Sequence, residues 1–200
     1  MTTEVRDMRG GALETCVAHV PTPLGDVLLA EKGGKLVGCA INGQPSYQRL
    51  IDEAASERPD SPALALGVAW LERYLAGGRP HPAELPLAPH GTAFQHEVWS
   101  LLLEVPYGGV TTYGELADLV VLRRGGGRMA AQAVGQAVRR NPLSIIVPCH
   151  RVLAAGGRAG GYAGGLDKKL WLLGHEGVEV EGLRLPESGR FAHGADRLAR

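Results

Sequence analysis

Residues 79–91 constrain this chain more than any other stretch. They hold Pro80, Pro82, Pro86 and Pro89 and show no hydrophobic periodicity. Proline breaks a helix interior and removes a donor from a strand, so neither element can run through here. We expect a linker between two domains, 1–85 and 86–177, with a tail over 178–200. On the first side, Val17 to Val20 and Asp26 to Glu31 read as strands around a Thr22-Pro23-Leu24-Gly25 turn. Gly33-Gly34 gives the permissive backbone of a hairpin that returns through Leu36 to Ile41. Ser46 to Ser56 has helical spacing at Tyr47, Leu50, Ile51 and Ala54. Ser61-Pro62 is an N-cap and first-turn pair for a helix that passes Leu75 and stops at Gly77-Gly78. This half is an α/β domain.

Beyond the prolines the pattern is mostly helical. Thr92-x-x-Gln95 and Thr112-x-x-Glu115 are capping boxes, each ahead of an apolar-periodic run. Arg128 to Arg140, bounded by Gly125-Gly126-Gly127 and Asn141-Pro142, carries small or apolar residues at Ala130, Ala133, Val134, Ala137 and Val138. Two short helices so joined resemble a helix-turn-helix. A last helix spans about Asp167 to His175 before Gly177, and the tail from Val178 is expected to be partly mobile.

The formal net charge of zero conceals a segregation. Residues 1–118 hold fifteen acids against eight bases, and 167–200 hold six of each. Between them, 119–166 hold no acid and seven arginines: Arg123, Arg124, Arg128, Arg139, Arg140, Arg151 and Arg158. Such a window is a candidate polyanion-binding surface. The apolar runs are too short to span a bilayer, which argues against a membrane protein. No basic-then-apolar leader opens the sequence, and three cysteines cannot all pair with one another, so a reducing cytoplasm is expected.

Those cysteines differ in their surroundings. Cys16 and Cys39 sit in strand-like segments without ionisable neighbours and read as core residues. Cys149 ends the β-branched run Ile145-Ile146-Val147-Pro148 and is followed by His150 and Arg151. Thiolate is the reactive form of cysteine, and cations or an imidazole lower the thiol pKa, so Cys149 is a candidate nucleophile.

Pro148-Cys149-His150-Arg151-Val152 resembles the active-site signature of the O6-alkylguanine-DNA alkyltransferases, also called methylated-DNA–protein-cysteine methyltransferases. The similarity extends to Asn141-Pro142, Gly161-Tyr162-Ala163-Gly164-Gly165 and Trp171-Leu172-Leu173-Gly174-His175-Glu176-Gly177. Upstream it takes in Val105-Pro106-Tyr107-Gly108-Gly109-Val110-Thr111-Thr112-Tyr113-Gly114-Glu115-Leu116-Ala117, and it covers residues 92–177 in all. In the first half it rests on Thr22-Pro23-Leu24-Gly25 and the hairpin after it.

The resemblance implies a small ribonuclease-H-like α/β domain followed by a mostly helical, winged or helix-turn-helix-like catalytic domain that binds DNA. It implies stoichiometric, irreversible transfer of an alkyl group from O6-alkylguanine, and also O4-alkylthymine, in duplex DNA to Cys149. The damaged nucleotide would be flipped out of the stack. By the same resemblance His150 is the base, acting through a water, and Glu176 orients it, as in a generalised triad. Asn141 braces the turn, and Tyr113 hydrogen-bonds the base and offsets charge as guanine leaves. Tyr162, Ala163, Val152 and Gly160 form the substrate pocket. Arg128, Ala131, Gln132, Gly135, Arg139 and Arg151 meet the DNA. No cofactor is implied, and the protein is expected to act as a monomer that is spent after one event.

Two departures from the family pattern matter. Gln132 stands where relatives carry an arginine that fills the hole left by the flipped base. We expect Arg128, one turn earlier on the same helical face, to share that role. Lys32 stands where some relatives place a zinc-binding cysteine, and no close Cys/His cluster appears elsewhere, so no metal is expected. The two rival readings are a non-catalytic lesion-binding protein that recruits other repair and a cysteine hydrolase. Cys149 itself argues against the first. Against the second, adjacent residues seldom aim side chains at each other.

Overall fold

The computed structural model describes residues 14–58 and 60–183 and divides the chain into two compact units, Met1–His90 and Gly91–Arg200. In the first unit β1 (Thr15–Thr22), β2 (Gly25–Lys32) and β3 (Lys35–Ile41) form an antiparallel meander. The next elements are α1 (Pro45–Glu53), β4 (Ala54–Glu57) and α2 (Pro62–Leu75). The sheet order is β3-β2-β1-β4, with β4 parallel to β1.

Strand periodicity explains the apolar run in β2. Leu28 and Ala30 pack with Val17, Ala40 and Leu50 on the α1 side, while α2 lies against the sheet with Leu64, Trp70, Leu71 and Tyr74 buried. A strand covered on both faces reads as continuously hydrophobic. Gly38 lets α1 approach, since a Cβ there would meet Leu50 at 2.7 Å.

One expectation for this unit needs correction, and two others gain detail. The helix expected over 46–56 ends at Glu53, and Ala54–Glu57 turns into an edge strand in register with Thr15–Val17. Ser61 does stand at the N-cap of α2, but its side chain makes no capping hydrogen bond. The proline-rich stretch is hydrogen-bonded to the first unit. Trp70 Nε1 donates to the His81 carbonyl at 3.1 Å, and His81 caps a 3-10 turn over Pro82–Glu84. Leu36 N–H donates to Pro86 O, and Ala88 N–H to Leu36 O, both at 2.8 Å. The first unit therefore continues to His90.

The second unit holds α3 (Ala93–Glu104), β5 (Thr111–Thr112), α4 (Tyr113–Arg123), α5 (Ala131–Arg139), β6 (Val152–Leu153) and α6 (Leu166–His175). Both capping boxes form as read: Thr92 and Gln95 cap α3, and Thr112 and Glu115 cap α4. Trp99 is buried and donates Nε1–H to Ala137 O at 2.9 Å, tying α3 to α5. His96 meets its ring edge-on.

α5 begins three residues later than its sequence pattern predicts. Gly125, Gly126 and Gly127 all have positive φ (74, 131 and 102°), and the chain from 127 to 130 is irregular up to the N-cap Ala130. Arg128 therefore lies off the helix, and the argument placing it on one helical face with Gln132 does not hold. Of the tail, 178–183 are described, with Val178 N–H closing the end of α6 on Leu173 O at 2.9 Å. Residues 184–200, most of the segment expected to be mobile, lie outside the described residues. Among the described residues no helix is long and apolar enough to cross a membrane.

Candidate active site

Cys149, the candidate nucleophile, sits on a tightly built turn. Asn141, buried behind the end of α5, accepts from Leu143 N–H at 3.0 Å and donates Nδ2–H to Val147 O at 2.8 Å. One side chain thus clamps both ends of the segment between them. Inside the clamp Ile145 has φ of 71°, a left-handed conformation that a β-branched residue adopts only when its surroundings impose it. A 3-10 turn, Cys149–Arg151, follows and leads into β6. β6 pairs with β5 through Thr111↔Val152 and Thr112↔Leu153. Tyr113 follows β5 directly, so this short ladder delivers its phenol to the neighbourhood of Cys149, whose charge it feels.

His150, Arg151 and Glu176 form a buried network. Glu176 Oε1 accepts from His150 Nε2 at 2.8 Å and from Arg151 Nη2 at 2.9 Å, and Oε2 accepts from Arg151 Nε at 2.8 Å. Gly108 N–H adds a bond to Oε2 at 3.2 Å. Arg151 Nη1 reaches Val105 O at 2.6 Å. His150 is fully buried, and its Nδ1 makes no hydrogen bond within the described protein. With Nε2–H given to Glu176, Nδ1 holds a lone pair and can accept a proton.

Charge and burial set the protonation states. Burial pushes the Cys149 thiol up, opposed by hydrogen bonds from Asn141 and Tyr162 and by the nearby ammonium of Lys169. The nearby cation lowers the thiol pKa, as expected, but burial outweighs it, so the resting residue is a thiol and ionisation needs a base. Burial pushes the His150 imidazole down despite Glu176, so it is neutral. Burial would raise the Glu176 carboxyl, but bonds from His150 and Arg151 outweigh it and hold it far below the usual carboxylate range. Burial, then the sulfur, raises Tyr113, which stays a protonated donor.

Cys149, His150, Glu176, Asn141, Tyr113, Tyr162 and Val152 thus converge. Gly160 and Ala163 lie on the loop between β6 and α6, half-buried and exposed respectively. Ala131, Gln132 and Arg139 lie on the exposed face of α5. Gly135 is half-buried where a Cβ would stand 3.7 Å from the Tyr113 ring. The guanidinium of Arg151, expected to meet DNA, is turned inward onto Glu176 and Val105.

The arginine window shrinks in the same way. Arg123 pairs with Glu104, and Arg124 lies bidentate on Glu97 and over the Phe94 ring. Arg128, Arg139, Arg140 and Arg158 are exposed and make no ion pair among the described residues.

One residue escaped sequence analysis. Lys169 is fully buried and donates Nζ–H to Val152 O at 2.6 Å. Its position, three residues after Leu166 and three before Leu172, was the available signal: it falls on the apolar stripe of α6.

The family model described as the DNA-binding domain of 6-O-methylguanine DNA methyltransferase matches residues 93–178. A methylated-DNA–protein-cysteine methyltransferase of Mycobacterium leprae is 42% identical over 160 residues, covering 80% of this chain and 90% of that protein. One from Methanosarcina acetivorans is 50% identical over 158 residues, covering 78% and 94%. The crystal structure of Mycobacterium tuberculosis OGT in complex with DNA superposes with a TM-score of 0.67 at 36% identity, over 82% of this chain and 92% of that one.

Proposed function

The chain belongs to the methylated-DNA–protein-cysteine methyltransferase family, and from that premise we propose that it repairs O6-alkylguanine in duplex DNA by irreversible transfer of the alkyl group to Cys149. The observation that carries this reading is a buried, neutral imidazole next in sequence to a buried cysteine. His150 is held by Glu176 at one nitrogen and has the other unengaged.

In the proposed reaction His150 Nδ1 accepts the thiol proton through a water. The thiolate attacks the alkyl carbon, the carbon–O6 bond breaks, and its electron pair leaves with guanine. Tyr113, kept protonated, donates to the base and offsets that charge. The Cys149 and Val152 carbonyls accept from the exocyclic amine, Tyr162 walls the pocket with Gly160, and Ala163 offers its N–H towards O6. Because the thioether is not hydrolysed, each chain acts once and needs no cofactor. We extend the reading to O4-alkylthymine, to action as a monomer and to a cytoplasmic site.

The lesion must leave the duplex to reach a buried sulfur. We propose that the α4–α5 pair acts as a helix-turn-helix, with Ala131, Gln132, Gly135 and Arg139 against the DNA, and that the first unit is ribonuclease-H-like. Gln132, exposed in the first turn of α5, occupies the place of the flipped base without a charge.

The four unpaired arginines make a quantitative expectation. Each phosphate neutralised contributes about −0.9 to the slope of log K against log salt. Binding measured by fluorescence anisotropy from low to moderate salt should give a slope of roughly −3 to −4, for about four contacts. A slope near −6 would mean that the paired arginines bind as well, and a flat response would remove phosphate contact from the account.

The test of function is turnover with a duplex carrying one O6-methylguanine in excess. Lesion loss should stop at one equivalent of protein. Continued cycling would indicate a hydrolase. Binding without transfer would indicate a lesion sensor.

A further inference from the structure

Lys169 is a buried ammonium with no carboxylate partner among the described residues. Taking an ammonium out of water without a counter-charge is costly, so such lysines persist where the charge has a use. Its one hydrogen bond goes to Val152 O at 2.6 Å. Val152 in turn closes the nucleophile's turn by donating its N–H to Cys149 O. α6 packs on that turn, with Lys169 among its buried residues.

We propose that Lys169 is a positioning residue for the alkyl transfer: its ammonium is the charge against which the Cys149 thiol ionises, and its bond to Val152 fixes the turn that carries the sulfur. The inference rests on Cys149 being the alkyl acceptor. The division of labour is specific. Glu176 already satisfies Arg151 and His150, so the guanidinium is committed and the imidazole is neutral. Tyr113 from α4 and Tyr162 from the loop are neutral phenols, and Asn141 is a neutral amide. On α6 itself Asp167 is exposed. That leaves Lys169 as the cation within reach of a developing thiolate. Burial pushes Lys169 down to about 8 while the sulfur pulls it up, so the lysine remains mostly charged at neutral pH.

The account separates from a merely structural role by substitution. Lys169→Gln keeps a donor for the Val152 carbonyl and removes the charge. Lys169→Arg keeps the charge. Alkylation of Cys149 by iodoacetamide, resolved from Cys16 and Cys39 by peptide mass spectrometry, is followed across pH for both variants and the wild type. This readout uses no DNA, so it fails or succeeds independently of the repair activity.

Lys169→Gln should move the ionisation midpoint of Cys149 up by one pH unit or more. That means a rate roughly tenfold lower at pH 7 for each unit, converging with the wild type at high pH. Lys169→Arg should keep the wild-type midpoint. Should Lys169→Gln not fold by circular dichroism, Lys169→Met, which keeps the buried stem, is read in the same way. An unmoved midpoint, an equal loss at every pH, or a displacement in Lys169→Arg as large as in Lys169→Gln overturns the proposal.

Discussion

Glu176→Gln should destabilise the protein by about 3–5 kcal/mol, the range seen when one partner of a buried ion pair is removed. The reason lies in what remains. Arg151 is 9% exposed, its guanidinium meets Glu176 through two bonds, and a neutral amide leaves that charge uncompensated. Glu176 is also the C-cap of α6, where the helix dipole disfavours a carboxylate, so the residue is held by its partners and not by the helix. Against a typical total of about 5–15 kcal/mol, the loss would leave the variant near its unfolding threshold. Urea unfolding with an unchanged slope and a lowered midpoint is the readout. A second substitution, Arg151→Met, should restore part of the loss by removing the stranded charge. A deficit under about 1 kcal/mol in the single variant would mean that the network is solvated like a surface pair.

The same network fixes the response to acid. The Glu176 carboxyl titrates far lower in the folded than in the unfolded chain. Its contribution is therefore full above about pH 4.3 and is lost as pH falls through the folded value. His150, kept neutral by burial, acts in the same direction at a higher pH. The unfolded imidazole takes up its proton below about pH 6.5 and the folded one only lower, so stability declines from there downward.

His150→Ala should slow alkyl transfer at neutral pH by about 10²–10⁴-fold, the usual contribution of a positioned general base. Burial holds Cys149 as a thiol, so without the imidazole nothing in the site collects its proton. The deficit should shrink as pH rises, because solvent then supplies the base and the thiolate population recovers. Single-turnover kinetics on a lesion-bearing duplex across pH measure both features. A loss under tenfold, or one independent of pH, would assign the imidazole a packing role.

What the sequence revealed and concealed follows from the range of the interactions. The capping boxes at Thr92 and Thr112 are decided within four residues, and both are formed. The helical spacing over 46–56 runs on into β4, because the strand's partner, β1, lies some forty residues earlier and no local pattern marks a parallel edge. The start of α5 is not legible in the sequence, because the glycine run permits either outcome and the helix begins only at Ala131. In the site, Cys149 with its histidine was legible as chemistry, and the matched segments named its partners. Arg151 and Lys169 were not. A charged residue is exposed by default, and only the fold shows that Arg151 turns onto Glu176 and Lys169 onto Val152. Three of the seven arginines in the acid-free window are paired within the protein, Arg123 and Arg124 at its surface and Arg151 inside it.

The central claim is that one of three buried cysteines accepts an alkyl group and the other two belong to the core. Peptide mass spectrometry after incubation with excess duplex bearing O6-methylguanine tests it directly. The account requires a single methyl per chain, on the peptide containing Cys149, with Cys16 and Cys39 unmodified. A methyl on either of those, or an unmodified protein that still binds the lesion, would contradict it.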